Sequence, residues 1–230
     1  MMHTLVEALA IIIPLIFAIV FHEVAHGLMA RALGDPTAQE RRRLSLNPLR
    51  HVDPFGTIIL PGMLHLAGMP VFGWAKPVPV NYNRLRHPKR DMAFVGAAGP
   101  VTNFVFAIVT ALVLGLILRG QGAATAGPVM AFVLMCLINF ITVNVSLGLF
   151  NLLPLPPFDG SRILRGVLPW PAARWLDRIE PYGIIVFFAI FVIVPQFMPS
   201  LHLADRVLLP PVEWVGHWLD ALIALVSGGQ

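Results

Sequence analysis

Ala10-Ile-Ile-Ile-Pro-Leu-Ile-Phe-Ala-Ile-Val-Phe-His-Glu-Val-Ala-His26 is apolar almost throughout, yet it closes on His22, Glu23 and His26. On a helix, an HExxH run sets two imidazoles four residues apart, about one turn. Both can then reach a single metal ion, with a carboxylate beside them. The residues before the motif suit the interior of a bilayer. Ionisable groups at such depth are costly and are functional candidates by default. The stretch predicts a membrane-crossing helix from about residue 4 to Leu33, stopped by Gly34 with Pro36 just beyond. It puts both histidines roughly 12–18 Å from the helix end. The chemistry it points to is hydrolytic and lies within the bilayer.

The rest of the chain has the same character. Of 230 residues, 57% are hydrophobic and 12% charged, and mean hydropathy is +0.77. Soluble domains carry roughly 25% charged residues. Residues 92–118, 120–158 and 181–204 contain no Asp, Glu, Lys or Arg. A span needs about 20 apolar residues, so each run can supply one. Spans are expected at 92–118, 126–150 and about 181–198. The segment 207–227 is either a short final span or an amphipathic helix lying in the interface. The N-terminus lacks the basic region of a cleavable signal peptide.

The stretch between the first two spans reads differently. Leu44–Leu49 and Val71–Val80 look like short extended pieces broken by Gly and Pro. Pro77 and Pro79 cannot donate ladder hydrogen bonds, so 71–80 is expected to be an edge strand. Phe55–Met69 is apolar but interrupted, which suits a re-entrant or interfacial segment. The fold class is therefore all-α and polytopic, with about 4–6 transmembrane helices and a small β or re-entrant insertion. The organisation is a single domain, 1–230, with a core at about 4–165 and C-terminal helices at about 179–227.

The formal charge of +4 does not point to nucleic acid. Counting Arg31 at the end of the first helix, 14 of the 16 Lys and Arg fall on the side shared by loops 34–91 and 159–180. By the positive-inside rule that side is cytoplasmic. Aromatic residues are sparse in these loops, which argues against a nucleic-acid partner and for the lipid bilayer. Cys136 is the one cysteine, so neither an intrachain disulfide nor a cysteine zinc cluster is available.

A catalytic zinc takes three protein ligands and leaves a position for water. His22 and His26 supply two, and Glu23 is a candidate general base. The third candidate is Asp159, in Asn151-Leu-Leu-Pro-Leu-Pro-Pro-Phe-Asp-Gly160. It ends a long uncharged run at the matching depth. It could instead cap a helix or pair with Arg162. Asn151 could satisfy freed backbone carbonyls, or donate to a scissile carbonyl or oxyanion. Asn103, four residues after Gly99, could serve close helix packing or face the site. For Asn144 packing is expected, and His51 is expected at the surface or interface.

Phe21-His-Glu-Val-Ala-His-Gly27 with Asn151…Pro154…Asp159-Gly160 resembles the site-2 protease family of intramembrane zinc metalloproteases. Gly96-Ala-Ala-Gly-Pro-Val-Thr-Asn103, Ser45-Leu-Asn-Pro48 and Phe72-Gly-Trp-Ala-Lys-Pro-Val-Pro-Val80 add to the resemblance, which covers about residues 10–165. It implies Zn2+ bound by His22, His26 and Asp159, with Glu23 as general base. It further implies cleavage of single-span membrane proteins in or near their transmembrane segment, by a multi-pass protein of a bacterial or archaeal cell membrane. The chain resembles the minimal type, without a PDZ-like insert or a nucleotide-sensing domain. In the edge-strand reading, Val71, Trp74, Val78 and Val80 hold an unwound substrate; the alternative is a structural hairpin of 71–80 with Leu44–Leu49. Two rival readings are a metal transporter with the same ligands and an inactive scaffold that binds membrane helices. An intact Glu23 beside the ligands argues against both.

Overall fold

The computed structural model describes residues 2–66, 75–121, 127–198 and 206–228. Within these the chain is helical, and there is no β-strand. In chain order the helices are α1 (Met2–Ala32), α2 (Thr37–Glu40), α3 (Leu60–Leu66), α4 (Pro88–Gln121), α5 (Pro128–Asn151), α6 (Asp159–Val167), α7 (Trp170–Ile179), α8 (Gly183–Phe188), α9 (Val194–Phe197) and α10 (Leu209–Ser227). Three are long and apolar enough to cross a membrane: Leu5–Ala32 in α1, Pro88–Gly120 in α4 and Pro128–Asn151 in α5. The protein is an all-α polytopic membrane protein.

Each long helix follows from local chemistry. α1 shows one buried stripe, at Ala10, Pro14, Ala18, His22, His26 and Ala30. A four-residue repeat keeps one face of a helix in register, so the two histidines share the buried face with small residues. Pro14 cannot donate to the Ala10 carbonyl one turn earlier. The Asn139 amide donates to that oxygen instead, at 2.9 Å. α1 stops at Gly34, whose φ of 113° suits glycine. There Asp35 N–H donates to Ala30 O at 2.9 Å and closes the helix end. Asp91 caps α4 by accepting from His87 N–H at 2.9 Å, and Arg90 Nε lies 3.2 Å from its other oxygen.

The chain divides into two compact units. One comprises Met1–Ala18, Pro100–Asn151 and Ala204–Gln230. Its core is Ala107, Ala111, Leu114, Ile141, Val145 and Leu219, where α10 packs against α4 and α5. Small residues permit the close approach: a Cβ on Gly115 would lie 2.8 Å from Val226 Cβ. The other unit comprises Ile19–Gly99 and Leu152–Leu203. It holds the HExxH end of α1, the first turns of α4, and α6 to α9.

Two expectations need correction. Residues 183–197 run helically without a break, as α8, a π-helical turn at Ala189–Ile193 and α9. The edge strand is absent among the described residues. Residues 75–80 belong to no helix and pair in no ladder. Lys76 N–H donates to His51 O at 2.8 Å, and Arg43 donates to Lys76 O at 2.8 Å. Val71 and Trp74 lie outside the described residues. His51 is buried as well, 3% exposed, with Nε2 donating to Ser45 O at 2.8 Å.

Candidate metal centre

Three donor atoms converge in the second unit. His22 Nε2 and His26 Nε2 each lie 3.0 Å from Asp159 Oδ2 and 3.1 Å from one another. All three residues are at most 4% exposed. The sequence separation of 137 residues between His22 and Asp159 is bridged by α6, whose first residue is Asp159. Gly160 makes this approach possible, because a Cβ there would run into the Leu152 and Leu153 carbonyls. The backbone leaving the Pro-rich turn therefore passes close behind the carboxylate.

Neighbouring groups orient each donor. His26 Nδ1 donates to Val95 O at 2.6 Å. That carbonyl can only accept, so a neutral His26 turns a lone pair, not an N–H, toward the centre at Nε2. Arg162 Nη1 donates to Asp159 Oδ1 at 2.7 Å and leaves Oδ2 facing the histidines. The arginine pairing and the histidine contacts weighed as alternatives thus occur together, one on each carboxylate oxygen. Gly99 of α4 supplies the remaining wall. A Cβ on it would stand 2.5 Å from both His22 Cε1 and His26 Nε2.

This donor set fits zinc. Two imidazole nitrogens and one carboxylate oxygen are ordinary zinc donors, and three protein ligands mark catalytic sites. Donor separations of 3.0–3.1 Å are close to the roughly 3.3 Å edge of a tetrahedron with 2.0–2.1 Å bonds. Lone pairs turned toward a common centre repel one another unless a cation lies among them. Among the described residues, these three form the one such cluster of histidine, cysteine and carboxylate groups.

The other predicted residues take different places. Glu23 Oε2 accepts from the Val78 N–H at 2.7 Å. Val78 is 6% exposed, and a Cβ on Gly27 would meet its Cγ1 at 2.8 Å. Its side chain is therefore seated on α1, and its amide is spent on Glu23. Val80 packs beside the cluster of Ala30, Leu85 and Val95. In the other unit, Asn103 is fully buried and donates to Asn144 Oδ1 at 2.8 Å, while Asn144 donates back to Phe140 O at 2.8 Å. Asn151 donates to Leu147 O at 3.0 Å, which uses one of its two amide hydrogens. Sequence reasoning missed the Val95 carbonyl, Gly99 and the Val78 amide. The only signal for them was the run of small residues Gly96–Gly99 and the proline-flanked valine.

Comparison with known proteins agrees with this chemistry. The family model described as "Peptidase family M50" matches residues 117–194. That range holds Asn151 and Asp159 but not the HExxH segment. The chain is 38% identical over 182 residues to "Putative zinc metalloprotease YwhC" of Bacillus subtilis (strain 168), covering 79% of this chain and 80% of that one. The chain belongs to peptidase family M50. This M50 member is also 26% identical over 215 residues to "Putative zinc metalloprotease Rip2" of Mycolicibacterium smegmatis, across 93% of this chain and 75% of the relative. No solved structure matches it. As an M50 peptidase it is a zinc metalloprotease of the site-2 protease family, as its motifs imply.

Proposed function

We propose that this M50 peptidase cleaves single-span membrane proteins in or near their transmembrane segment, as an intramembrane protease. In this reading His22, His26 and Asp159 hold the zinc. The observation that carries it is the convergence of three buried donors with Glu23 next in sequence, on a helix long enough to span a bilayer.

Zinc in such a site supplies Lewis acidity and lowers the pKa of water. The remaining work falls to the chain. Glu23 takes the proton of the attacking water, in the carboxylate orientation that the Val78 N–H holds. Val95 and Arg162 keep His26 and Asp159 turned inward. Burial of the ligands excludes competing water. A transmembrane substrate hides its scissile bonds in its own helix, so it must unwind locally before cleavage. Asn151 is the candidate donor to the substrate carbonyl through its second amide hydrogen. Basic loops 34–91 and 159–180 face the cytoplasm of a multi-pass cell-membrane protein.

The test is cleavage of a panel of single-span proteins by the purified chain, with and without a chelator. The reading expects products cut within or beside the span and loss of cleavage on chelation. Cleavage confined to soluble proteins, or zinc transport by vesicles without proteolysis, would contradict it.

A further inference from the structure

A cavity of about 650 Å³ opens in the same unit as the metal centre, and none of its lining residues belongs to that centre. It is formed where two candidate spans end. Thr37 and Arg41 lie just past the end of α1, and Pro88 and Lys89 form the first turn of α4. Arg165 of α6 and Trp170 of α7 complete the wall. Its size is that of a small-molecule site.

The charges around it are unevenly matched. Arg165 is neutralised by Asp177 at 2.7 Å and Glu180 at 3.5 Å. The other nearby carboxylates are also engaged: Glu40 pairs with Arg84 at 2.7 Å, and Asp91 with Arg90 at 3.2 Å. Buried Asp35 accepts from the Thr37 and Asn81 N–H groups at 3.0 and 2.6 Å. Arg41 and Lys89 take part in none of these pairs. Lys89 Nζ instead sits 5.2 Å from the centroid of the Trp170 ring, which is 65% exposed. The positive end of the α4 dipole adds to both cations.

We propose that this cavity binds the phosphate headgroup of an anionic phospholipid. Basic recesses at the ends of transmembrane helices, on the side rich in Lys and Arg, suit such headgroups. A soluble phosphate compound would offer the same chemistry, but the surroundings favour lipid. The cavity stands level with the ends of two spans. α7 also carries Trp175, 62% exposed, together with exposed Arg174 and Arg178, the composition of a helix at a membrane surface.

The experiment is lipid retention by the full-length chain in neutral detergent, read by native mass spectrometry. Phosphatidylglycerol, phosphatidylcholine and inorganic phosphate are titrated separately, and no proteolysis enters the readout. The parent should hold phosphatidylglycerol more tightly than phosphatidylcholine. Arg41→Gln with Lys89→Gln should weaken phosphatidylglycerol by about tenfold to thirtyfold, leaving phosphatidylcholine and zinc content unchanged. Trp170→Ala, which frees Lys89 from its ring, should weaken it less. Equal retention of both lipids by the parent overturns the proposal, as does equal phosphatidylglycerol retention by parent and double variant. Inorganic phosphate binding that is lost in the double variant while lipid retention is not would assign the cavity to a soluble phosphate instead.

Discussion

At the scale of single residues, Gly99 shows how little room the centre leaves. Alanine normally improves a helix by about 1 kcal/mol over glycine. Here its methyl would reach 2.5 Å from both imidazole rings. Gly99→Ala is therefore expected to leave the protein helical but weaken zinc by about tenfold or more, as measured by chelator competition. Zinc affinity equal to the parent's would mean that the rings can yield without cost. Arg162→Ala removes the partner of Asp159 Oδ1 and frees the carboxylate to rotate. Zinc should bind more weakly, again by about tenfold, in the range seen when groups that orient metal ligands are lost. The histidine pair was legible in the sequence because i, i+4 spacing alone puts two rings on one face. Asp159 was legible because a lone carboxylate ends a long uncharged run. Gly99 and Val95 were not, because their role comes from how α4 passes behind the rings, and no spacing within α4 encodes that.

At the scale of elements, the segment 75–80 matters most. Two of its donors are already used, Lys76 N–H on His51 O and Val78 N–H on Glu23. Proline spacing signals a chain that cannot pair along both sides, but it does not say which neighbour takes the remaining amides. That is why an edge strand was expected and a tether to Glu23 is found. The two roles separate by substitution. Val78→Pro removes the Glu23 donor and should lower kcat severalfold with zinc retained, whereas Val78→Ala keeps the amide and should do so much less. Val80→Pro leaves the Glu23 contact intact, so slower cleavage by that variant alone would restore a substrate-pairing role to the segment. The stop at Gly34 was foreseen, and Gly34→Ala, forced to a φ of 113°, should cost about 1–2 kcal/mol of stability in thermal unfolding.

At the scale of the whole molecule, composition alone indicated a polytopic helical membrane protein, and the three long apolar helices bear that out. Orientation rests on the 14-to-2 distribution of basic residues. Single cysteines in a Cys136→Ala background test it: position 86 should label only after the membrane is permeabilised, and labelling from outside intact cells would invert the topology. The central claim is that Glu23 moves the proton while His22, His26 and Asp159 hold zinc. Glu23→Gln tests this most directly, because the amide matches the carboxylate in size but cannot take a proton. Zinc content and cleavage of a single-span substrate are measured on the same preparation. The account predicts one zinc per chain and cleavage lowered by about 10²-fold or more. Cleavage near the parent's rate with zinc in place would contradict it.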